Sequence, residues 1–269
     1  MPELPEVEVS RLGITPHVLQ QTVTAVQIWF PTLRWPIPEA VKLLEGEKII
    51  AIRRRAKYLL LDCVHGTLII HLGMSGKLHV LPTSQPRQKH DHFELELDNG
   101  YSMRLNDARR FGAVLWQAPN ETHVLLEGLG PEPLTDEFDG ERLFALSRGR
   151  KMPVKSFIMD NAVVVGVGNI YANEALFATG IDPRRAAGKI SKARFAQLSA
   201  AIKEILALAI TQGGTTLKDF MKADGKPGYF KQELAVYGRN GQACTACATP
   251  IKAVKIGQRN SFYCPQCQR

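Results

Sequence analysis

The sequence predicts an α+β protein with antiparallel sheet in its first half, helices in its second, and a small metal-binding hairpin at the C-terminal end. Three observations predict it. Short β-branched and aromatic runs alternate with turn residues up to about residue 117, and apolar residues then recur at helical spacing. Four of the five cysteines fall in the last 26 residues, as two Cys-x-x-Cys pairs. With 269 residues, 45% of them hydrophobic, the chain can bury more than one core.

The expected strands, in order, are 23–30, 48–53, 57–63, 67–72, 92–97, 101–105 and 113–116. His65-Gly66, Gly73, Gly76 and Asp98-Asn99-Gly100 separate them as turns, which implies an antiparallel sandwich or barrel. One short helix is expected at 38–44. Cys63 lies in an apolar run and reads as a buried core thiol. Gly130-Pro131-Glu132-Pro133 reads as a linker. Beyond it, 140–146, 155–160 and 169–178 read as short helices. The clearest helix follows Ser191 as N-cap, with Phe195, Leu198, Ile202, Ile205 and Leu206 on one face and Gly213-Gly214 as the stop. Residues 215–240 lack periodicity and read as a mobile loop.

Charge is divided unevenly. Residues 1–144 carry 15 Lys+Arg against 19 Asp+Glu, and residues 145–269 carry 19 against 7, within an overall +8. A basic half beside a mildly acidic one suits a polyanion held mainly by the second half, although a merely soluble basic surface has the same composition. No apolar run reaches the roughly 18 residues of a membrane span. Glu3, Glu6 and Glu8 among prolines are unlike a secretory signal, so a cytoplasmic protein is expected, and separately a monomer.

Cys244, Cys247, Cys264 and Cys267 form C-x2-C-x16-C-x2-C, the spacing of a zinc site. In a chain without a secretory signal, metal is favoured over two disulfides. Four thiolates leave no open coordination position, so the zinc would be structural. Gln258-Arg259-Asn260 is expected at the hairpin tip, where Arg259 could meet a phosphate or simply be solvated. At the other end, Met1-Pro2-Glu3-Leu4-Pro5-Glu6 permits two readings. It could be an acidic helix start with proline in the first turn. Alternatively, with Met1 removed, the secondary amine of Pro2 could attack an electrophilic carbon beside a proton-handling Glu3.

Stretches along the whole chain bear on that choice: PELPEVE at 2–8, RRAKYLLLD at 54–62, IIHLGMSGKL at 69–78, KHDHFEL at 89–95, ARRFGA at 108–113, LGPEPL at 129–134, VVGVGNIYANEALF at 164–177 and CPQC at 264–267. In this order they resemble the formamidopyrimidine-DNA glycosylases, bacterial enzymes that excise oxidised purines. PELPE, rather than the PEGPE of the related endonuclease VIII group, favours the purine-lesion branch. The resemblance implies an N-terminal β-sandwich catalytic domain at 1–130, a helix–two-turns–helix DNA-binding domain at 131–230 and a zinc-finger β-hairpin at 231–269, with damaged duplex DNA in a cleft. It implies one structural zinc and no catalytic metal or organic cofactor.

The resemblance also implies residue roles. Pro2 is the nucleophile at C1′ and Glu3 the general acid and base. Lys57, expected on the same strand face as Arg53 and Arg55, and Arg259 serve phosphate contact and elimination. Met74, Arg109 and Phe111 fill the gap left by the turned-out base. Asn169, after Gly166-Val167-Gly168, is a phosphate ligand, and Glu174 helps to orient the Pro2 amine. His71, His90, Arg150 and Lys155 match further DNA contacts, and Thr215–Lys218 belongs to a loop over the lesion. Two positions depart from the family pattern. Ala108 stands where proline is usual, which implies a looser loop, and Asn260 replaces a smaller residue.

Overall fold

The computed structural model describes residues 2–213 and 234–269. They fall into two compact units that divide between Glu127 and Gly128, and the C-terminal cysteine segment belongs with the second.

The first unit begins with helix α1 (Leu4–Val18). Two four-stranded antiparallel sheets follow. One has the order β1 (Val23–Ile28), β6 (Asp91–Leu97), β7 (Tyr101–Asn106), β5 (Lys77–Pro82). The other runs β2 (Ala51–Arg55), β3 (Tyr58–Cys63), β4 (Gly66–His71), β8 (Ala113–Gln117). Leu59, Leu61, Leu68 and Ile70 of one sheet share a core with Phe93, Leu95, Met103 and Leu105 of the other, and Val7, Ile14 and Val18 of α1 complete it. The outward Leu60 and Ile69 are also covered, by Trp35, Leu125 and Leu126. Burial on both faces explains why β3 and β4 read as apolar runs rather than alternating strands.

All seven expected strands form, each shifted by no more than a few residues, and the short helix at Glu39–Leu44 is a 3-10 turn. Cys63 is buried in the core as expected, and burial pushes its thiol up. Helix α1 is the acidic helix start with proline in its first turn that the N-terminal residues allow. Its length is not expected, because its buried side carries Glu6 and Ser10 beside Val7 and Ile14 while Leu12 faces out, which blurs its amphipathic stripe. Strand β5, half-buried along most of its length and ending in Pro82, lies outside the expectation.

The second unit contains α2 (Gly140–Ser147), α3 (Val154–Ile158), α4 (Asn169–Ala178) and α5 (Lys192–Thr211). Ser191 caps α5 as expected, accepting the Arg194 amide at 3.3 Å. Phe157, Tyr171, Leu176, Phe195, Leu198, Ile202 and Leu206 fill the core between these helices. The hairpin of β9 (Lys252–Ile256) and β10 (Arg259–Tyr263) carries the cysteine pairs at its base. Its own core is Val236, Cys244, Ile251 and Cys264, with Phe177 of α4 packed against them. The 215–218 stretch expected over the lesion lies outside the described residues.

Candidate active site and metal centre

In the first unit, Glu3 is the N-cap of α1, and it closes a capping box with Glu6. The Glu3 amide donates to Glu6 Oε2 at 2.8 Å, and the Glu3 carboxylate accepts the Glu6 amide in return. Both carboxylates are buried, and Pro2 is half-buried immediately before them. The residue-2 nitrogen therefore stands at the positive end of a 15-residue helix.

Lys57 is not on a strand. β2 ends at Arg55, which pairs with Tyr58, so Ala56 and Lys57 form the two-residue turn between β2 and β3. Ala56 has φ 52°, which breaks the two-residue alternation that would place Lys57 beside Arg53 and Arg55. Arg54 fixes this turn by donating to the Ala56 carbonyl at 2.9 Å and to Glu8 of α1 at 3.0 Å. Burial works to raise the Glu8 carboxyl, but Arg11 and Arg54 hold it below its ordinary value. The helix that starts at Glu3 and the turn that carries Lys57 are thus tied by an ion pair.

His71, at the end of β4, accepts the Gly73 amide at Nδ1, at 3.1 Å. Burial, reinforced by the charges of Lys57 and Arg34, pulls its pKa from 6.5 down to about 4. It is therefore neutral at physiological pH, and with Nδ1 occupied as acceptor its proton is assigned to Nε2. His90 sits half-buried before β6 in a left-handed conformation, φ 74°.

Met74, Arg109 and Phe111 come together on two adjoining loops. A Cβ on Gly73 would overlap the Phe111 carbonyl carbon, so only glycine lets the loops approach this closely. Met74 is 42% exposed and Phe111 45%, and the Arg109 guanidinium lies over the Phe111 ring, 4.8 Å from its centroid. Two large apolar groups left in water beside a stacked cation are what a wedge between bases requires. Asp107, which is not among the sequence candidates, is fully buried beneath these loops and accepts Gly112 N–H at 2.8 Å and Ser75 Oγ–H at 2.5 Å. An aspartate just ahead of a tight, glycine-bearing loop is a legible signal for a loop organiser.

In the second unit, α4 starts at Asn169 behind Gly168. Lys155, for which the resemblance implies a DNA contact, is buried, 1% exposed. Its ammonium donates to Asn169 Oδ1 at 2.5 Å, Ser261 Oγ at 2.6 Å and the Asn260 carbonyl at 3.3 Å. Asn169 Nδ2 also donates to the Asn260 carbonyl, at 3.1 Å. Lys155 and Asn169 therefore join α3 and α4 to the hairpin. Asn260 takes part through its backbone, so its larger side chain leaves this junction intact. Arg259 is exposed as the first residue of β10, not at the tip. The tip is Gly257-Gln258, with φ 54° and 63°, a pair that a tight hairpin turn demands. Arg150 is exposed after α2. Glu174 accepts three successive amides, from Ala235, Val236 and Tyr237, at 2.7, 3.0 and 2.8 Å. Its carboxylate is committed to the segment leading into the zinc hairpin, a role the sequence does not suggest.

Cys244, Cys247, Cys264 and Cys267 offer four sulfurs within 4.8 Å of one another, and all are free thiols. Cys244 and Cys267 stand 3.9 Å apart and Cys247 and Cys264 3.5 Å, close to the edge of about 3.8 Å of a tetrahedron with ordinary zinc–sulfur bonds. The amides of Ala246 and Cys267 donate to Cys244 and Cys264 sulfurs, each at 3.4 Å. Hydrogen bonds from Thr249 hold the Cys247 thiol down at about 6, whereas Cys247 and Cys264 push Cys267 up to about 12. Four thiols this close ionise together only around a cation, and the donor set and spacing fit a structural zinc.

Three family models match the chain in succession. Residues 1–114 match the formamidopyrimidine-DNA glycosylase N-terminal domain, 129–221 its H2TH domain, and 241–269 the zinc finger found in Fpg and isoleucyl-tRNA synthetase. The chain is 63% identical over 270 residues to the formamidopyrimidine-DNA glycosylase of Alteromonas mediterranea and 61% identical to that of a Pseudomonas putida strain, covering all of each. It superposes on a mutant of the Lactococcus lactis Fpg in complex with Fapy-dG-containing DNA with a TM-score of 0.91 at 30% identity, covering both chains fully. The Thermus thermophilus Fpg protein gives a TM-score of 0.87 at 36% identity, with 99% of this chain and 98% of that one covered. Two sandwiched sheets, an H2TH helical unit and a four-cysteine hairpin, matched from end to end, place the chain in the formamidopyrimidine-DNA glycosylase family of DNA-repair glycosylase/AP lyases.

Proposed function

We propose that the protein removes oxidised purines, 8-oxoguanine and formamidopyrimidines, from duplex DNA through a covalent intermediate on Pro2, acting as a monomer in the bacterial cytosol. The observation that carries this reading is the N-terminal geometry: a proline nitrogen at the positive end of α1, directly before a buried Glu3. Once Met1 is removed, that nitrogen attacks C1′ of the damaged nucleotide. Glu3 passes a proton as the sugar ring opens, and the base leaves with the electron pair of the glycosidic bond. The resulting iminium acidifies the C2′ proton. Its removal expels the 3′ phosphate, and a second elimination expels the 5′ phosphate, leaving a one-nucleotide gap. Lys57, on a turn pinned to α1, steadies phosphate and moves protons during elimination, and Arg259 grips the backbone for the second step. Neutral His71, His90, Arg150 and Asn169 add backbone contacts. Arg109 pairs with the orphaned base, while Phe111 and Met74 fill the vacated stack. Zinc, when bound, supplies only folding energy for the hairpin that presents Arg259.

Borohydride trapping tests the reading. A covalent complex should form with a duplex carrying 8-oxoguanine opposite cytosine and reach at least tenfold higher yield than with an oxidised-pyrimidine duplex. The reverse preference would move the substrate to pyrimidine lesions, and no complex with either would end the covalent mechanism.

A further inference from the structure

We propose that Asp107 is a positioning residue that locks the void-filling side chains in one arrangement, so that it governs the turning-out of the base rather than the chemistry that follows; this rests on the wedge role given above to Met74, Arg109 and Phe111. Its carboxylate is fully buried and reaches every loop concerned. Oδ1 accepts from Ser75 Oγ at 2.5 Å and from the Arg109 amide at 3.3 Å, and Oδ2 accepts from the Gly112 amide at 2.8 Å. Ser75 Oγ accepts the Arg109 amide as well, at 3.2 Å, closing a small ring of bonds. The backbone extends the same hub: Asp107 N–H donates to the His90 carbonyl at 3.0 Å, while its own carbonyl accepts from the Arg110 amide at 3.2 Å and meets His92 Nε2 at 2.9 Å. Each exposed group is thus the bonded residue itself or its chain neighbour, Met74 beside Ser75, Arg109 directly and Phe111 beside Gly112, and half-buried His90 is bonded directly through its carbonyl.

Physical chemistry gives the hub a purpose. A wedge works only if its side chains stay put when stacked bases push back, yet Met74 and Phe111 are held by little packing of their own. Ala108 leaves its own φ unlocked, and Arg110 sits at φ 56°, a conformation an arginine adopts only when its surroundings impose it. Amide bonds to a buried carboxylate are charge-assisted and roughly twice as strong as neutral ones, so they can impose it. Asparagine would keep the shape but turn an NH2 toward an amide that needs an acceptor.

The test compares a substrate whose base must be turned out with one that has none. Asp107→Asn and Ser75→Ala are assayed in single turnover on a duplex carrying 8-oxoguanine and on a single-stranded oligonucleotide with an abasic site, with unfolding midpoints measured alongside. Asp107→Asn should slow duplex excision at least tenfold and single-strand abasic cleavage less than twofold, and Ser75→Ala should show the same split at about threefold. Equal slowing on both substrates would reduce Asp107 to general stability, and an unslowed duplex reaction would remove its role altogether. Should Asp107→Asn fail to fold, the Ser75→Ala split decides the matter alone. Failure of the unsubstituted protein on the lesion duplex, with abasic cleavage intact, would instead overturn the proposed substrate.

Discussion

Arg109 in the first unit and Lys155 in the second, two cations for which the sequence implies DNA contacts, are used in opposite ways. In the first, a large two-sheet core fixes the backbone, and the groups proposed to meet DNA stand out into water: Met74, Arg109 and Phe111 on the loops. In the second, Lys155 is 1% exposed and, together with Asn169, fastens the hairpin to helices α3 and α4, while Arg150 and Arg259 stay exposed. The hairpin's own core is small, Val236, Cys244, Ile251 and Cys264, and a four-thiolate module of this size draws folding energy from a bound zinc. A cation in a basic region is thus no measure of phosphate contact. Burial separates the cations that could reach a phosphate from those that hold the fold.

This contrast can be broken first at the metal. Stripping zinc with a chelator, or replacing Cys264 by alanine, should abolish lesion excision, because a structural zinc contributes on the order of 10 kcal/mol to a small module. Hydrogen exchange should show the β9–β10 amides losing protection while β3 and β4 keep theirs. Loss of protection across both units would show that the sandwich depends on the metal too.

The next largest effect is expected at Lys155. Lys155→Ala leaves Asn169 and Ser261 without their donor and should cost about 3 kcal/mol of stability in the second unit, measured by denaturant unfolding. DNA affinity should fall with it.

His71 offers a pH test within the first unit. Its folded pKa is depressed to about 4 from 6.5, so the unfolded chain binds the extra proton. Its contribution is fully present above pH 6.5, and stability is lost as pH falls toward 4, by up to about 3 kcal/mol if the whole shift is realised. His71→Gln, which cannot take up that proton, should flatten this part of the stability–pH curve.

The smallest effect is expected at exposed Arg150. Arg150→Ala should weaken DNA binding by about threefold, leave the unfolding midpoint unchanged, and lower the salt dependence by about one phosphate contact.

Much of the fold and part of the site are legible in the sequence, wherever periodicity and spacing report one cause. Helix α4 is expected at 169–178 and spans Asn169–Ala178, Ser191 caps α5, and the cysteine spacing locates four convergent sulfurs. Legibility fails where tertiary contacts decide. The start of helix α1 is legible in its acidic, proline-bearing first turn, but its extent is not, because Glu6 and Ser10 are on its buried side, where the polar atoms are bonded within the helix's own first turns. Lys57 reads as a strand residue because a left-handed Ala56 carries no sequence mark. Arg259 reads as the tip because Gln258, a residue seldom found at positive φ, occupies the turn beside Gly257. Lys155 looks like any helix-start cation until Ser261, more than a hundred positions away, is found at 2.6 Å.

The covalent mechanism turns on the nitrogen of residue 2. Proteolysis and mass spectrometry of the borohydride-trapped complex would locate the sugar remnant. It is expected on the N-terminal peptide, on a Pro2 from which Met1 has been removed. A remnant on Lys57 or any other lysine, or active enzyme that still carries Met1, would contradict the assignment.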